Sequence, residues 1–509
     1  MSPFIFTGRD REFIAQKGLT EEAVERQLAT FARKYVPLSL NRPCTIGDGI
    51  VHIADARHDG LILNYEEEVR KTVVLKFVPA SGAASRMFRD WFALRSGNNS
   101  DAEITTGILE DIPRYGFFND LKAAAARQGM NLGMLIEEKR IGDILDLVLG
   151  PEGLHYARIP KALIPFHAYG NESRTSLEEH LVEAALYVRD GRGISRLHFT
   201  VSEEHRSSIE RFIHLVRTRY EKVFNTAFDI SISVQHHSTD TIAVDSDGNP
   251  CRDDRGDLLF RPGGHGALLK NLNALEAPVI FIKNIDNVVP DRLRGPTVLY
   301  KKLLGGYLFE LQREIFEHRR ALAESAIDEA RLAEAKRFCR ERLSAAFPGH
   351  YDGGTTEEKR MFLIDRLDRP LRICGMVRNV GEPGGGPFWI NEPGGTQSLQ
   401  VIEKAQIDTG SREQTEIWES STHFSPVDLV CGVTDHRGQH FDLDDYVDPD
   451  TYLVTEKSFK GATLRALELP GLWNGSMARW NTVFVEVPLI TFNPVKTVTD
   501  LLRKEHQDR

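Results

Sequence analysis

Hydrophobic and polar positions switch between two periods along this chain. The run TVVLKFVPA, Thr72 to Ala80, is continuously apolar and rich in β-branched residues, which predicts a strand buried on both faces. It leads into the small-residue turn SGAASRM and a helix through Phe92. RLHFTVS (Arg196 to Ser202) and FDISISVQ (Phe228 to Gln235) alternate as strands do, and EEHRSSIERFIHLV between them has helical spacing. With a further apolar strand reaching Ile282, the order is β, α, β, α, which predicts an α/β fold with a parallel sheet and helices on both faces.

The remaining segments fill in around this sheet. Leu19, Ala23, Leu28, Phe31 and Ala32 recur at helical spacing behind the start signals Thr20, Glu22 and Glu25, giving an N-terminal helical segment over 1–65. Leu121 to Leu149 predicts two helices broken near Gly133, an insertion over 118–150 that we expect to act as a lid or cap. A charged stretch over 303–347, with Leu308, Leu311, Ile315, Phe316 and Leu322 on one stripe, predicts two scaffold helices. Proline and glycine clusters at Glu382 to Phe388 and Asn391 to Leu399 precede a smaller C-terminal α+β region. The division expected is 1–65, a catalytic domain over 66–410, and 411–509.

Composition narrows the function. A chain of 509 residues with 41% hydrophobic and 27% charged residues buries a large core. No stretch approaches the roughly 18 uncharged apolar residues of a spanning helix. The opening MSPFIFTGRDREFIAQKG carries charges where a signal peptide is apolar. We therefore expect a cytoplasmic protein with no membrane partner. A formal charge of -10 argues against a nucleic-acid partner. Cys44, Cys251, Cys339, Cys374 and Cys431 are scattered and form no CxxC pair, so neither a disulfide framework nor a thiolate zinc site is expected.

Candidate chemistry clusters at strand ends. Ser81, Gly82, Ala83, Ala84 and Ser85 are all small, so backbone amides there can approach a polyphosphate, and Arg86 can add a fork of donors. Lys161 lies between the prolines of IPKALIPF. Gln235 closes a strand and offers a donor and an acceptor to a base edge. RPGGHGAL, Arg261 to Leu268, is a glycine-dense turn, with Gly263 and Gly264 together, opening a helix; His265, between Gly264 and Gly266, is left unshielded for a phosphate or sugar. In IFIKNIDN, Asp286 follows a buried strand and stands at the carboxyl edge of the sheet, where magnesium held by one or two carboxylates and phosphate oxygens is the usual arrangement. AVDSDGNP lacks the closing glutamate of a calcium loop and reads as a polar turn. DHRGQHFDLDD reads as a hairpin with a solvated tip.

In order, VPASGAASRM, IPKALIPF, SVQHH, RPGGHGALL and IFIKNIDN resemble the motifs of the UDP-glucose pyrophosphorylase group of sugar nucleotidyltransferases, over roughly Val73 to Leu502. GGTQSLQVIEKAQI and, weakly, HFSPVDLV resemble segments of that group's sugar-facing half. FNPVKTVTDLL is similar to its Pro-Val-Lys signature, whose lysine contacts phosphate. The chain also resembles a divergent, uncharacterised bacterial branch. Ser81 and Ala84 stand where the group usually has glycine, and SPVD replaces its Asn-rich strand entry.

The resemblance implies a Rossmann-like, mostly parallel sheet of the nucleotide-diphospho-sugar transferase (GT-A-like) type. It also implies a reaction of a nucleoside triphosphate, UTP by preference, with a sugar 1-phosphate, giving NDP-sugar and pyrophosphate with Mg2+. Arg86, Lys161 and Lys496 would carry charge neutralisation, His265, Asn287 and Asp428 would face the sugar phosphate, and Asp286 the metal. A glycosyltransferase using an NDP-sugar donor and a non-catalytic nucleotide-sugar-binding protein are the other readings. Neither the sugar nor the oligomeric state is legible.

Overall fold

The computed structural model describes residues 4–33, 35–82, 84–97, 102–324, 328–381, 384–459 and 462–507. The chain gathers into two compact units, each discontinuous in sequence: 66–234 with 281–303 and 488–509, and 1–65 with 235–280 and 304–487. This differs from the sequential division expected above, because strand partners are not sequence neighbours. Residues 1–65 are not only helical. They hold the strands Leu40–Pro43, Thr45–Ile46 and Gly49–Val51, and Gly49–Val51 pairs in parallel with Asn481–Glu486. The segment carrying Lys496 belongs with 66–234, not with a C-terminal region.

In the unit built on 66–234, residues 281–283 of the strand Val279–Lys283, then Val74–Pro79, Ile194–Val201 and Ala227–Val234, lie side by side in that order. The last three run parallel, with Leu75 opposite Arg196 and Ile194 opposite Ala227. Val74 to Val78 are all buried, as their continuous apolar pattern requires. The helix Glu203–Phe224 returns the chain between two parallel strands and ends on Asn225 in the left-handed region, at φ 47°.

The insertion forms three helices, Phe118–Arg127, Leu132–Glu137 and Ile141–Leu149. The two breaks fall at Gly129, whose φ is 71°, and at Lys139, whose φ is 56°, and not at Gly133. That glycine lies inside the second helix, its amide accepted by the capping side chain of Asn131. Leu121, Leu145 and Val148 pack with Phe88, Trp91, Val495 and Leu501 in one buried cluster. The insertion is thus part of the unit's core rather than a separate cap.

One interruption of the apolar run is Lys76, fully buried in its strand. Its Nζ donates to Glu183 Oε2 at 2.7 Å, and Lys283 Nζ donates to Glu183 Oε1 at 2.7 Å. Burial, opposed by Glu183, brings Lys76 down to about 7. Burial works against the charge of Glu183 as well, yet the Lys283 and Lys76 ammonium groups hold it well below the ordinary carboxylate range.

The other unit carries the strands Thr45–Ile46, Gly49–Val51, Asn481–Glu486, Leu371–Arg378 and Asp428–Gly432 in that spatial order. The central pair is parallel and Asp428–Gly432 antiparallel. Gly386–Asn391 and Gln397–Ile402 form a hairpin whose turn contains Gly394 and Gly395 at positive φ. Glu382 and Pro383 of the preceding cluster lie outside the described residues. Both discounted acidic segments are local turns. Asp245 Oδ1 accepts the Asp247 and Asn249 amides, and Asp435 N donates to the Gln439 carbonyl with Thr434 bridged to His440. The long charged stretch divides into the helices Arg294–Ala321 and Glu329–Arg342. All five cysteines are free thiols, and among the described residues no helix is long and apolar enough to cross a membrane.

The glycine-dense turn has a packing reason. A Cβ on Gly266 would stand 2.1 Å from the Pro470 carbonyl oxygen, and one on Gly263 2.4 Å from that of Thr239. Neither backbone oxygen can step aside cheaply. Gly266→Ala is expected to lower the unfolding free energy by about 1–3 kcal/mol, read as a shift of the urea midpoint at constant slope.

Candidate functional site

Beyond the buried strand Val279–Lys283 the chain turns through Asn284 and Ile285 to Asp286, which is 6% exposed. Asp286 Oδ2 accepts two ammonium groups, Lys161 Nζ at 3.0 Å and Lys496 Nζ at 3.1 Å. Its Oδ1 is enclosed and has no hydrogen-bond partner. Burial opposes its charge, but Lys161 and then Lys496 hold the carboxyl below its ordinary range. Residues 161, 286 and 496 thus meet at one carboxylate from three separate stretches of the same unit.

Each lysine is placed by backbone. Pro160 caps the short 3-10 turn Lys161–Leu163, and the Lys161 amide donates to the Gly82 carbonyl at 3.2 Å. Lys161 Nζ also donates to the Val495 carbonyl at 2.8 Å. The terminal segment is stitched to the strand end. Val495 N donates to the Asp286 carbonyl at 3.1 Å, Asn493 N to Asn287 Oδ1 at 3.0 Å, and Val498 N to the Met87 carbonyl at 3.0 Å. Asp500 Oδ2 caps the Lys496 and Thr497 amides, each at 2.7 Å. Lys161 is largely buried, whereas the Lys496 side chain is 54% exposed.

The loop after the strand Val74–Pro79 is joined to this cluster by the bond from the Lys161 amide to the Gly82 carbonyl. Ser81, Gly82, Ser85 and Arg86 are exposed, Ala84 is buried, and Ala83 lies outside the described residues. The Ala84 amide, expected to face phosphate, donates instead to the Ile159 carbonyl at 3.2 Å and is not open to a ligand in this arrangement. Asn287 also departs from its expected place at the sugar phosphate. It is 1% exposed, and its side-chain oxygen is engaged by the Asn493 amide. Its role here is to hold the terminal segment.

The remaining candidates belong to the other unit. Gln235 follows directly on its strand, and its Nε2 is enclosed without a hydrogen-bond partner. The His265 ring stacks on Trp473 with centroids 4.3 Å apart and accepts the Leu472 amide at Nδ1, 3.0 Å away. Burial pushes its pKa down, against the pull of Glu403 and Glu468. The ring is thus fixed within its own unit rather than standing unshielded in the turn. Gly264, at φ 75°, packs against Glu468. Asp428 is buried at the start of its strand.

Two positioning residues escaped sequence reasoning. Asp500 was signalled by the Thr497-x-x-Asp500 capping pattern. His180, whose Nε2 lies 3.2 Å from the Ile285 carbonyl beside Asp286, has no such local signature.

Solved structures similar to this chain include a point mutant of UDP-glucose pyrophosphorylase from Leishmania major, at 12% identity and TM-score 0.46, covering 98% of this chain and 79% of that one. They also include the uridine diphosphate N-acetylglucosamine pyrophosphorylase from Trypanosoma brucei in complex with an inhibitor, at 12% identity and TM-score 0.47, covering 98% and 82%. A UDP-glucose phosphorylase from Trypanosoma brucei is similar at 12% identity and TM-score 0.46, covering 97% and 77%. No curated protein matches the sequence. Residues 7–507 match the family described as a domain of unknown function, DUF4301, and the chain belongs to that family.

Proposed function

We propose that this protein is a sugar nucleotidyltransferase that joins a nucleoside triphosphate to a sugar 1-phosphate and releases pyrophosphate. The observation that carries this reading is the convergence of Lys161 and Lys496 on Asp286. Two ammonium groups held within hydrogen-bonding distance of one carboxylate, one of them half exposed, form a site ready for a polyanion. The ordered motifs resembling the UDP-glucose pyrophosphorylase group support the same reading, with UTP as nucleotide and a GT-A-like sheet.

The chemistry asks little of a general base. A sugar phosphate oxygen is already anionic near neutral pH and can attack the α-phosphorus in line, with pyrophosphate leaving opposite. Catalysis then rests on holding the two reactants together and neutralising the charge that builds between them. Lys161, anchored by the Val495 carbonyl, is the fixed charge. Lys496 is the charge with freedom to turn from Asp286 onto the reacting phosphates. Exposed Ser81, Gly82, Ser85 and Arg86, in the same unit as both lysines, would line the triphosphate.

Asp286 fits one magnesium contact, because its Oδ1 is enclosed without a partner. Among the described residues no group of three or more His, Cys, Asp or Glu could hold a metal, so phosphate oxygens and water would complete the shell. A bound magnesium ion would supply charge neutralisation at the phosphates.

A screen of UTP and the other nucleoside triphosphates against a set of sugar 1-phosphates, read by released pyrophosphate, tests the proposal. UTP with at least one sugar phosphate is expected to turn over, and labelled pyrophosphate with the matching NDP-sugar to give labelled UTP. No release and no exchange with any pair would overturn it. Transfer from an NDP-sugar to an acceptor without pyrophosphate exchange would identify a glycosyltransferase, and binding without turnover a sensor.

A further inference from the structure

The terminal segment that carries Lys496 is tied down a second time, away from Asp286. His506, in the turn Lys504–His506, is 2% exposed, and its Nδ1 lies 3.0 Å from His167 Nε2, with the two rings stacked. His167 Nδ1 lies 2.9 Å from Glu179 Oε1, and Glu179 is completely buried. Glu179 also accepts the Tyr169 hydroxyl at 2.7 Å and pairs with Arg294. All these residues belong to one unit.

One proton position follows from the chemistry. A carboxylate paired with Arg294 accepts and cannot donate, so the His167 Nδ1 carries a proton toward Glu179. One further proton, on either ring, closes the link between His167 Nε2 and His506 Nδ1. The His506 Nε2 makes no full hydrogen bond, although the Asn493 backbone lies close enough to favour protonation there. Three buried polar groups joined in a row accept a single register, whereas an apolar contact of the same volume would tolerate several.

We propose that His167 and His506 are positioning residues for Lys496, the chain Glu179–His167–His506 fixing the register in which the terminal segment brings its ammonium group to Asp286. The assignment of a reaction to that ammonium group rests on the function proposed above; the latch itself does not. The residues between the two anchors span only 493–506. Arg292 reinforces the far end, donating to the Gln507 carbonyl at 2.9 Å and to that of Lys504.

Hydrogen exchange at the Val495, Lys496, Thr497 and Val498 amides reads the latch directly. In His506→Leu these amides are expected to exchange about tenfold faster, with the sheet amides of residues 74–78 unchanged. His506→Asn, whose side-chain amide replaces Nδ1, is expected to restore protection to within about twofold of wild type. Should His506→Leu fail to fold, His506→Gln carries the test, since its amide sits one bond too far out, and is expected to behave as the leucine variant. Turnover provides the second reading, with kcat about tenfold lower and KM within about twofold in the unlatched variant.

Low pH should open the same latch in the wild type. Burial foremost, then His167 and Arg503, hold His506 at about 3, so it is neutral when folded. Its contribution is full above its ordinary pKa of 6.5 and falls as pH drops from there toward about 3. The other charged groups around the chain are Glu179, Arg174, Arg294, Asp291 and Arg292. Unchanged exchange at residues 495–498 in a folded His506→Leu or His506→Gln protein overturns the proposal, as does acceleration spread evenly over the unit. If a wild-type protein turns over no substrate pair, the exchange result still decides the latch, and only the function falls.

Discussion

Lys496→Ala is expected to slow pyrophosphate release by about a hundredfold or more, with an unfolding midpoint close to wild type. The two halves of that expectation have different physical origins. The side chain is half exposed, so truncation opens no cavity, and Asp286 keeps Lys161 as a partner. What is lost is a charge-assisted contact to the transition state, worth about 3 kcal/mol. Asp286→Ala is expected to slow turnover at least about as much, but for another reason: it leaves two ammonium groups without the anion that holds them together. Steady-state kinetics on both variants, beside circular dichroism to confirm the fold, checks the pair. Near-normal turnover in both would remove these residues from the reaction.

Glu183→Ala should act on stability rather than on rate. It leaves the buried ammonium groups of Lys76 and Lys283 without their shared carboxylate, a loss of about 3–5 kcal/mol of unfolding free energy. Because Lys76 already stands at about 7, it can shed its proton when the carboxylate goes. Raising the pH from 6 toward 9 should therefore shrink the deficit, since a neutral amine costs less to bury than an ammonium ion. Urea titrations at both ends of that range measure it. A midpoint matching wild type at pH 6 would show that the pairing contributes nothing net.

Elements with a strong period were legible, and contacts across the chain were not. The strands at Val74–Pro79, Ile194–Val201 and Ala227–Val234 fall within about two residues of the sequence reading, because strict alternation, or a short β-branched apolar run ending at turn residues, favours an extended backbone. Gly133 misled because a glycine that opens a helix behind an asparagine cap looks, in one dimension, like a glycine that ends one. The discontinuous units were invisible, since pairing such as Gly49–Val51 with Asn481–Glu486 leaves no local mark.

The site divides in the same way. Asp286 announced itself as an acid after a buried strand, and Lys161 as a base between prolines, whereas Lys496 entered through resemblance to a Pro-Val-Lys signature. Asp500 could have been found from its capping pattern. His167, Glu179 and His506 could not, because nothing local to residue 167 anticipates a ring 339 positions further on.

The paired lysines at Asp286 are never without an anion of their own. An incoming ligand must outcompete a resident carboxylate that is already desolvated and doubly hydrogen-bonded, and a single weak charge such as chloride or acetate has no means of doing so. A chain of phosphates does, since it meets both cations at once and recovers the electrostatic energy surrendered at the aspartate. On the function proposed above, the internal ion pair would work as a threshold that favours multivalent guests over the monovalent salts surrounding them.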